Sequence, residues 1–467
     1  MRIDHLELRN FRKFIEAEVE FPRSFLGPPD AGSFHVLIGE NGIGKTTILD
    51  ALAVTLGVWL ESVPDSLLAN SHRRLSKDDK RLITTASGDR KQYQRVPESM
   101  SVRVTGNILD LENVTWGQEL AVGRTKVSND CSKTVLASIR SAYDRASHCE
   151  PVLLPVICYY GAGRAWLSHN ERKKAKVKSN GPANRWEAFY DCLNERIRVS
   201  DLARWFQREH IEMGHRGKPR PGFDVVRRAV LGCVPGADGI RYDGDAGEIA
   251  LSIDGNDQPF SNLSAGQRVM LAMVADLAIK MVTQNNFLVP ADALRPEDAP
   301  LPRVLAETPG VVLIDELDVH LHPKWQRGMV EALRETFPKT QFIATTHSPF
   351  IVQSLREDEL INLQGQTIPQ LGNLGVEQIV RGLMGVDRPE VALRYDEMVT
   401  AAKDYLTTLD EAANAPAEMR SHYEAKLADR VARYADNPAY QAFLELKHAA
   451  RLGTNASSSA TAQQRGA

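Results

Sequence analysis

The chain has 467 residues, of which 43% are hydrophobic and 25% charged, which is ordinary for a globular protein with ample length for a large core. Two to three structural units are expected at that length. A formal net charge of −3 excludes a uniformly basic nucleic-acid binder, so any such contact must be local.

The opening "MRIDHLELRNFRKF" is charged and alternating, unlike a secretory signal. No run reaches the apolar length of a membrane helix, so no membrane contact and a cytoplasmic location are expected. The five cysteines include no C-x-x-C pair, and their odd number argues for reduced thiols. Ile3, Leu6 and Leu8 among polar neighbours read as an edge strand. "FHVLIGENGIGKTT" reads as a strand entering a glycine loop, then a helix with Ile48, Leu49, Leu52 and Leu56 at helical spacing. Residues 62–98 are polar and read as loop or short helix. "SVRVTG" and "LENVTWGQEL" read as strands of a small antiparallel layer, and "VLLPVICYY" as a buried strand.

Residues 165–238 are polar, rich in Lys and Arg, and helical in patches, which reads as an insertion. "IRYDG" and "EIALSIDG" suggest a hairpin leading to "NLSAGQR" and a helix carrying Met270, Val274, Leu277 and Met281. Residues 285–309, rich in proline, read as a surface loop. "GVVLIDE", "PKWQRGMVEALRETF" and "QFIATTH" read as strand, helix and strand, which implies a parallel sheet. Beyond residue 376 helices follow, including stretches near 417–434 and 438–451. The expected organisation is an N-terminal half of an α/β head (1–164), a basic helical insertion (165–238), the second half of the head (239–375), a helical region (376–452) and a disordered tail (453–467).

"GENGIGKTT" fits G-x-x-x-x-G-K-[ST] from Gly39 to Thr46. Backbone N–H groups of Gly39, Glu40, Asn41, Gly42, Ile43 and Gly44 can turn inward around a triphosphate, with Thr47 next along the helix. Lys45 is expected at the β and γ phosphates of ATP and Thr46 on Mg²⁺. Four apolar residues bury the strand before Asp315 and Glu316, so the pair emerges where ligands bind an open α/β sheet. Asp315 is expected to hold Mg²⁺, directly or through water, and Glu316 to polarise the attacking water. His347 ends the following strand and is expected to stabilise the γ-phosphate. His320 and His322 lack a third ligand at metal spacing and read as a loop facing a partner. Ser264 also reads as a helix cap, with Gly266 and Gln267 in the first turn.

In this order the motifs resemble the ATP-binding-cassette heads of the SMC, RecF and OLD-like ATPases. That resemblance implies a P-loop NTPase fold with an antiparallel β layer, helical insertion and helical C-terminal region. It implies that the signature Leu263–Gln267, with Ser264, Gly266 and Gln267, binds ATP held by another subunit. A homodimer or higher even oligomer follows. It also implies that Arg12 or Lys13 lies near the nucleotide and that "DVHLHP" crosses the dimer interface. The family's Q-loop glutamine is missing after "VLLPVICYYG", where Arg164 stands in roughly that place.

"LPVICYYGAGRAW", "FYDCL", "IDGNDQPFSNLSAGQR" and "NPAYQAFLELKHAARLG" further resemble the ATPase subunits of Septu-type and retron-linked anti-phage systems. This implies a sensor or regulatory ATPase controlling a separate HNH nuclease subunit. After "THSPF" the chain holds no D-x-D pair and only His422 and His448, so no nuclease site is expected in it. Three other readings compete: a RecF-like repair ATPase, a self-contained OLD-type nuclease and a non-hydrolysing ATP-bound scaffold. Residues 172–228 carry Arg172, Lys173, Lys174, Lys176, Lys178, His215, Arg216, Lys218, Arg220, Arg227 and Arg228, as either a nucleic-acid contact or a solvated helical face. Trp186, Phe189, Tyr190, Trp205 and Phe206 interleave with them, more in the manner of core than of base-stacking platforms. Tyr395, Tyr405, Leu409, Tyr434, Phe443 and Leu446 are expected either to self-pack or to dock a partner.

Overall fold

The structure is a computed structural model. It describes residues 1–23, 31–62, 73–87, 90–124, 126–163, 185–289, 300–365, 371, 374–413, 426 and 438–452. Its strands run β1 Arg2–Arg9, β2 Glu16–Glu20, β3 Phe34–Ile38, β4 Leu82–Ser87, β5 Arg90–Arg95, β6 Met100–Ile108 and β7 Leu111–Leu120, then β8 Val156–Tyr160. They continue as β9 Ala237–Asp243, β10 Glu248–Ile253, β11 Asn256–Pro259, β12 Gly310–Ile314, β13 Thr340–Thr345 and β14 Leu360–Asn362.

A five-stranded parallel sheet in the order β14-β3-β13-β12-β8 organises the first compact unit, Met1–Gly385. Its strands alternate between two cores with the period of two that a pleated sheet dictates. Val36, Cys158, Val312 and Ile314 face one core, and Leu37, Ile157, Val311 and Leu313 the other. Both faces are covered, which is why these strands read as unbroken apolar runs. One core is filled by helices α1 Lys45–Leu56 and α2 Lys133–Ser147 with the antiparallel sheet β2-β1-β6-β7. Helices α3 Val199–Arg216, α4 Pro221–Cys233, α5 Ala265–Gln284, α6 Arg303–Glu307, α7 Pro323–Thr336, α8 Pro349–Gln353 and α9 Val376–Gly382 follow. Most of them contribute to the other core, beneath the β9–β10–β11 meander.

In the second unit, Val386–Ala467, α10 Leu393–Ala413 and α11 Pro438–Leu452 pack through Tyr405, Leu409, Tyr440 and Leu444. Tyr395, Phe443 and Leu446 are exposed. Tyr434, the helix expected at 417–434 apart from Lys426, and the tail 453–467 lie outside the described residues.

Three expectations need correction. Strand β1 is not an edge: it pairs with β2 on one side and β6 on the other. Half-buried alternation looks the same in an interior strand of a sheet covered on one face. Within 62–98, β4 and β5 form a hairpin whose polar sequence carries no apolar alternation. The stretch 285–309 is not all loop, since Asn286–Leu288 forms a helical turn and α6 buries Val304 and Leu305. The aromatic residues of the insertion are core: Trp186 and Phe189 are buried in one core and Phe206 in the other, where the half-buried Trp205 packs against Phe206 and Phe223.

One side chain ties the two large sheets together. The register of β1 slips between Ile3 and His5. There the buried Gln341 of β13 accepts from the Ile3 N–H (2.8 Å) and donates to the Ile3 carbonyl (2.7 Å). Gln341→Leu leaves both backbone groups buried without their partner. Each such loss costs about 1–3 kcal/mol, so a destabilisation of about 2–4 kcal/mol is expected in urea unfolding of the full chain. An unchanged midpoint would show that the bulge satisfies itself.

Candidate functional site

All the catalytic motifs sit at the C-terminal edge of the parallel sheet, where ligands bind in open α/β folds. Strand β3 runs into Gly39, β12 into Asp315, and β13 into Thr346 and His347. Because β13 lies between β3 and β12, its end stands between the glycine loop and the acidic pair.

The loop's shape follows from its glycines. Gly39, Gly42 and Gly44 have φ of 147°, 79° and 111°, and Gly44 leads into α1 from the left-handed region. A Cβ on Gly44 would stand 2.5 Å from the Phe14 ring. The segment after β1 therefore braces the loop from outside. Lys13 adds to this by donating to the Gly42 carbonyl. The Lys45 ammonium donates to the carbonyls of Gly39 (2.7 Å) and Glu40 (3.2 Å). Burial lowers its pKa, and the charges of Asp315, Glu316 and Asp318 offset part of that shift.

Asp315 is the hub. Its backbone N–H donates to the Tyr160 carbonyl (2.8 Å), which closes the end of β8 onto β12. One carboxylate oxygen accepts from the Thr46 hydroxyl (3.0 Å) and the other from the Thr345 hydroxyl (2.6 Å). The Thr345 hydroxyl in turn accepts from the Glu316 N–H (2.8 Å). Glu316 itself has φ of +50°, a left-handed geometry that a non-glycine residue adopts at a cost. The hydroxyl of Thr346 donates to Asp318, which also accepts from the His347 N–H (3.2 Å). The exposed His347 thus hangs from the loop after Glu316 as well as from its own strand. The hydroxyl and carboxylate of Thr46 and Asp315 form an oxygen donor set of the kind Mg²⁺ takes, so the residues fit that ion.

The signature is a cap built as the sequence implies. The Ser264 hydroxyl accepts from the Gln267 N–H (3.3 Å), and the Gln267 side chain accepts from the Ser264 N–H (2.8 Å). Gly266 is required for packing: a Cβ there would come within 2.5 Å of the His320 carbonyl. The signature therefore rests on the loop that follows Glu316. His320 has φ of +62°, and His322 caps α7 by accepting from the Lys324 N–H (3.2 Å). Among the described residues no group of three or more His, Cys, Asp or Glu is gathered as a metal-ligand cluster, and no helix is long and apolar enough to cross a membrane.

Arg12 and Lys13 make different contacts, and of the two only Lys13 is hydrogen-bonded to the glycine loop among the described residues. Arg12 pairs with Asp79 (3.1 Å) and with the buried Asp50 of α1. Burial opposes its charge, yet the two carboxylates raise its pKa. Asp50 also binds Arg73 and accepts from the Tyr159 hydroxyl (3.1 Å). Thr345, Asp318 and Asp50 escaped sequence reasoning. Only the paired threonines before His347 hinted at the first.

Of the basic stretch, Arg164, Arg172, Lys173, Lys174, Lys176 and Lys178 lie outside the described residues. Farther on, Arg216 pairs with Glu212 (3.6 Å), Arg220 with Glu209 (3.2 Å) and Arg227 with Asp224 (3.7 Å). Much of that charge is answered within the chain. All five cysteines are free.

This fold and site are similar to those of a P-loop ATPase head. Residues 5–211 match an AAA domain, and residues 251–353 match an AAA domain described as a putative AbiEii toxin of a type IV toxin–antitoxin system. Within that class the chain is related to the ATPases of retron and Septu systems. It is 24% identical over 412 residues to the Retron Vc95 probable ATPase of Vibrio cholerae, covering 77% of this chain and 73% of that one. It is 24% identical over 360 residues to the Septu protein PtuA of Bacillus mycoides, covering 77% of this chain and 40% of that protein. Among solved structures, the SMC head bound to the C-winged helix domain of ScpA superposes with a TM-score of 0.41 at 15% identity, covering 79% of this chain and 95% of that one.

Thr345→Val removes the hydroxyl that steers both Asp315 and the Glu316 backbone, without touching the phosphate loop. Loss of such an outer partner typically costs about 10–100-fold. Phosphate release is expected to fall by that much while ATP affinity holds, and Thr345→Ser should restore it. A valine variant with normal turnover would remove Thr345 from this role.

Proposed function

We propose that this chain is a Mg²⁺-dependent ATPase that dimerises head to tail around two ATP molecules. In this reading it is the sensor or regulatory subunit of an anti-phage complex and controls a separate HNH nuclease subunit. The observation that carries the ATPase reading is the unbroken path Thr46–Asp315–Thr345–Glu316, which joins the phosphate loop to the acidic pair.

The backbone of Gly39–Gly44 and the Lys45 ammonium bind the triphosphate, helped by the N-terminus of α1. Thr46 and Asp315 hold the magnesium ion, which supplies charge neutralisation at the phosphates. Glu316 orients and deprotonates the attacking water, its backbone set by Thr345. Lys45 and His347, with Ser264 from a second copy, balance the charge that develops on the transferring group. The dimer reading draws support from the signature. Ser264 is exposed at the N-terminus of the 20-residue α5, a favourable end for an anion. This chain's own loop already has Lys45, Thr46 and Asp315 around it, so a second copy's γ-phosphate is the natural occupant.

The retron and Septu relatives support the defence role, and the separate nuclease subunit belongs to the same proposal. The exposed Tyr395, Phe443 and Leu446 are a surface for that partner, and we keep nucleic-acid contact through residues 172–228 in the proposal. We place the reduced, membrane-free chain in the cytoplasm, with residues 165–238 as the insertion and 376–452 as the helical region.

Glu316→Gln is expected to bind ATP, accumulate as a dimer in light scattering and release phosphate at a small fraction of the native rate. A monomeric, fully active variant would refute the reading. Ser264→Arg should bind ATP with native affinity, yet neither dimerise nor turn over. If it hydrolyses ATP normally, the signature does not serve a second copy.

A further inference from the structure

Helix α5 is buried almost all round. Beyond the half-buried first turn, and apart from Val282, the incompletely buried positions are Asp276, Ile279, Lys280 and Thr283, a strip spaced i, i+3, i+4 and i+7. That strip lines a cavity of about 280 Å³. Opposite it stands one face of α3, presenting Asp201, Arg204, Trp205 and Arg208 at the same spacing, while Leu202 and Phe206 of α3 turn into the core. Residues 187–198 and the end of β8 complete the walls.

The cavity is charged where a helix–helix seam would be apolar. Its floor is a closed network: Lys280 pairs with Asp276, and the Tyr160 hydroxyl donates to Asp276 (2.8 Å). Burial lowers the Lys280 pKa, but the neighbouring Asp276 carboxylate outweighs that and raises it. Above the floor the described lining sets Arg196, Arg198, Arg204 and Arg208 against Glu187, Asp191 and Asp201, with Arg198 paired to Asp191 and with Arg204 and Arg208 exposed. Among the described residues, the exposed Arg204 pairs with the half-buried Asp201 (3.1 Å), a surface pair that yields readily to a phosphate. Two half-buried rings, Tyr190 and Trp205, line the same cavity, Tyr190 with Arg198 over one face (5.3 Å) and Trp205 stacked on Phe223 (6.4 Å), so each has one face left to offer.

We propose that this cavity is a second ligand site, separate from the phosphate loop, for a small nucleotide-class anion that combines a phosphate with an aromatic base. Arginines bind the phosphate bidentately, and Trp205 and Tyr190 take the ring. The volume lies near the lower end of the roughly 300–1,000 Å³ typical of small-ligand sites, which suits a mononucleotide and not a polymer. The binding claim stands independently of the ATPase reading.

The test uses the full chain carrying Lys45→Ala, which silences the phosphate loop. AMP, GMP, CMP and UMP are titrated calorimetrically, with ribose 5-phosphate as the ring-free control. At least one mononucleotide is expected to bind saturably, at least tenfold tighter than ribose 5-phosphate. Adding Arg204→Ala and Arg208→Ala, both at exposed positions, should weaken it at least tenfold. No saturable mononucleotide binding, equal binding of ribose 5-phosphate, or indifference to the two arginines would each overturn the proposal. Should the triple variant fold poorly, crosslinking with 8-azido-AMP on the Lys45→Ala chain decides. Labelling within 187–208 supports the site, and labelling only elsewhere refutes it.

Discussion

The arrangement of this site depends on one carboxylate. Asp315 is buried, and both of its oxygens accept from threonine hydroxyls that belong to different elements. Thr46 comes from the helix after the glycine loop and Thr345 from the strand between loop and carboxylate. Three segments distant in sequence are thereby fixed to one another through two short bonds. A buried carboxylate is costly unless it is hydrogen-bonded, and here that cost is what enforces the register. If either hydroxyl moved away, the charge would be left poorly solvated, so the loop and the acidic strand are constrained to move together.

The same constraint spreads outward. Thr345 holds Asp315 with its hydroxyl hydrogen and the Glu316 backbone with its lone pair, so Glu316 is kept in a left-handed conformation it would not choose alone. Asp318, two residues later, binds Thr346 and the His347 backbone. The next turn of that loop offers the His320 carbonyl to Gly266. From the phosphate loop to the signature there is a continuous run of contacts within one chain, each requiring a particular side chain or the absence of one.

Sequence reading captured the parts of this arrangement that local chemistry dictates. Gly39–Thr46 announces itself because glycines tolerate those φ values and Lys45 and Thr46 follow them at the G-x-x-x-x-G-K-[ST] spacing. Asp315 and Glu316 announce themselves because four apolar residues precede them. The capping box of Ser264 and Gln267 follows from spacing alone. Relations across the sheet were not legible. That Thr345 lies between Thr46 and Asp315 depends on the strand order β3-β13-β12, which no local pattern encodes. The same holds for Asp50, whose partners Arg12, Arg73 and Tyr159 come from three separated segments. Strand β1 was misread as an edge for a related reason, since alternation reports which face is buried and not how many neighbours a strand has.

Tyr160 joins the acidic strand end to the charged cavity. Its carbonyl accepts the Asp315 N–H, and its hydroxyl donates to Asp276 at the floor of the charged cavity. Its neighbour Tyr159 reaches the opposite face of the sheet and binds Asp50 on the phosphate-loop helix. Helix α5 supplies the second connection, beginning at the signature and carrying Asp276 and Lys280 in its later turns. A strand end and a helix therefore run from the cavity to both halves of the ATP machinery. A helix buried almost all round transmits displacement with little slack, because close-packed interiors are stiff. Whatever occupies that cavity is in direct contact with elements that also fix Asp315 and the signature. The missing Q-loop glutamine need not leave the insertion disconnected from the nucleotide, because the two tyrosines at the end of β8 provide a hydrogen-bonded route between them.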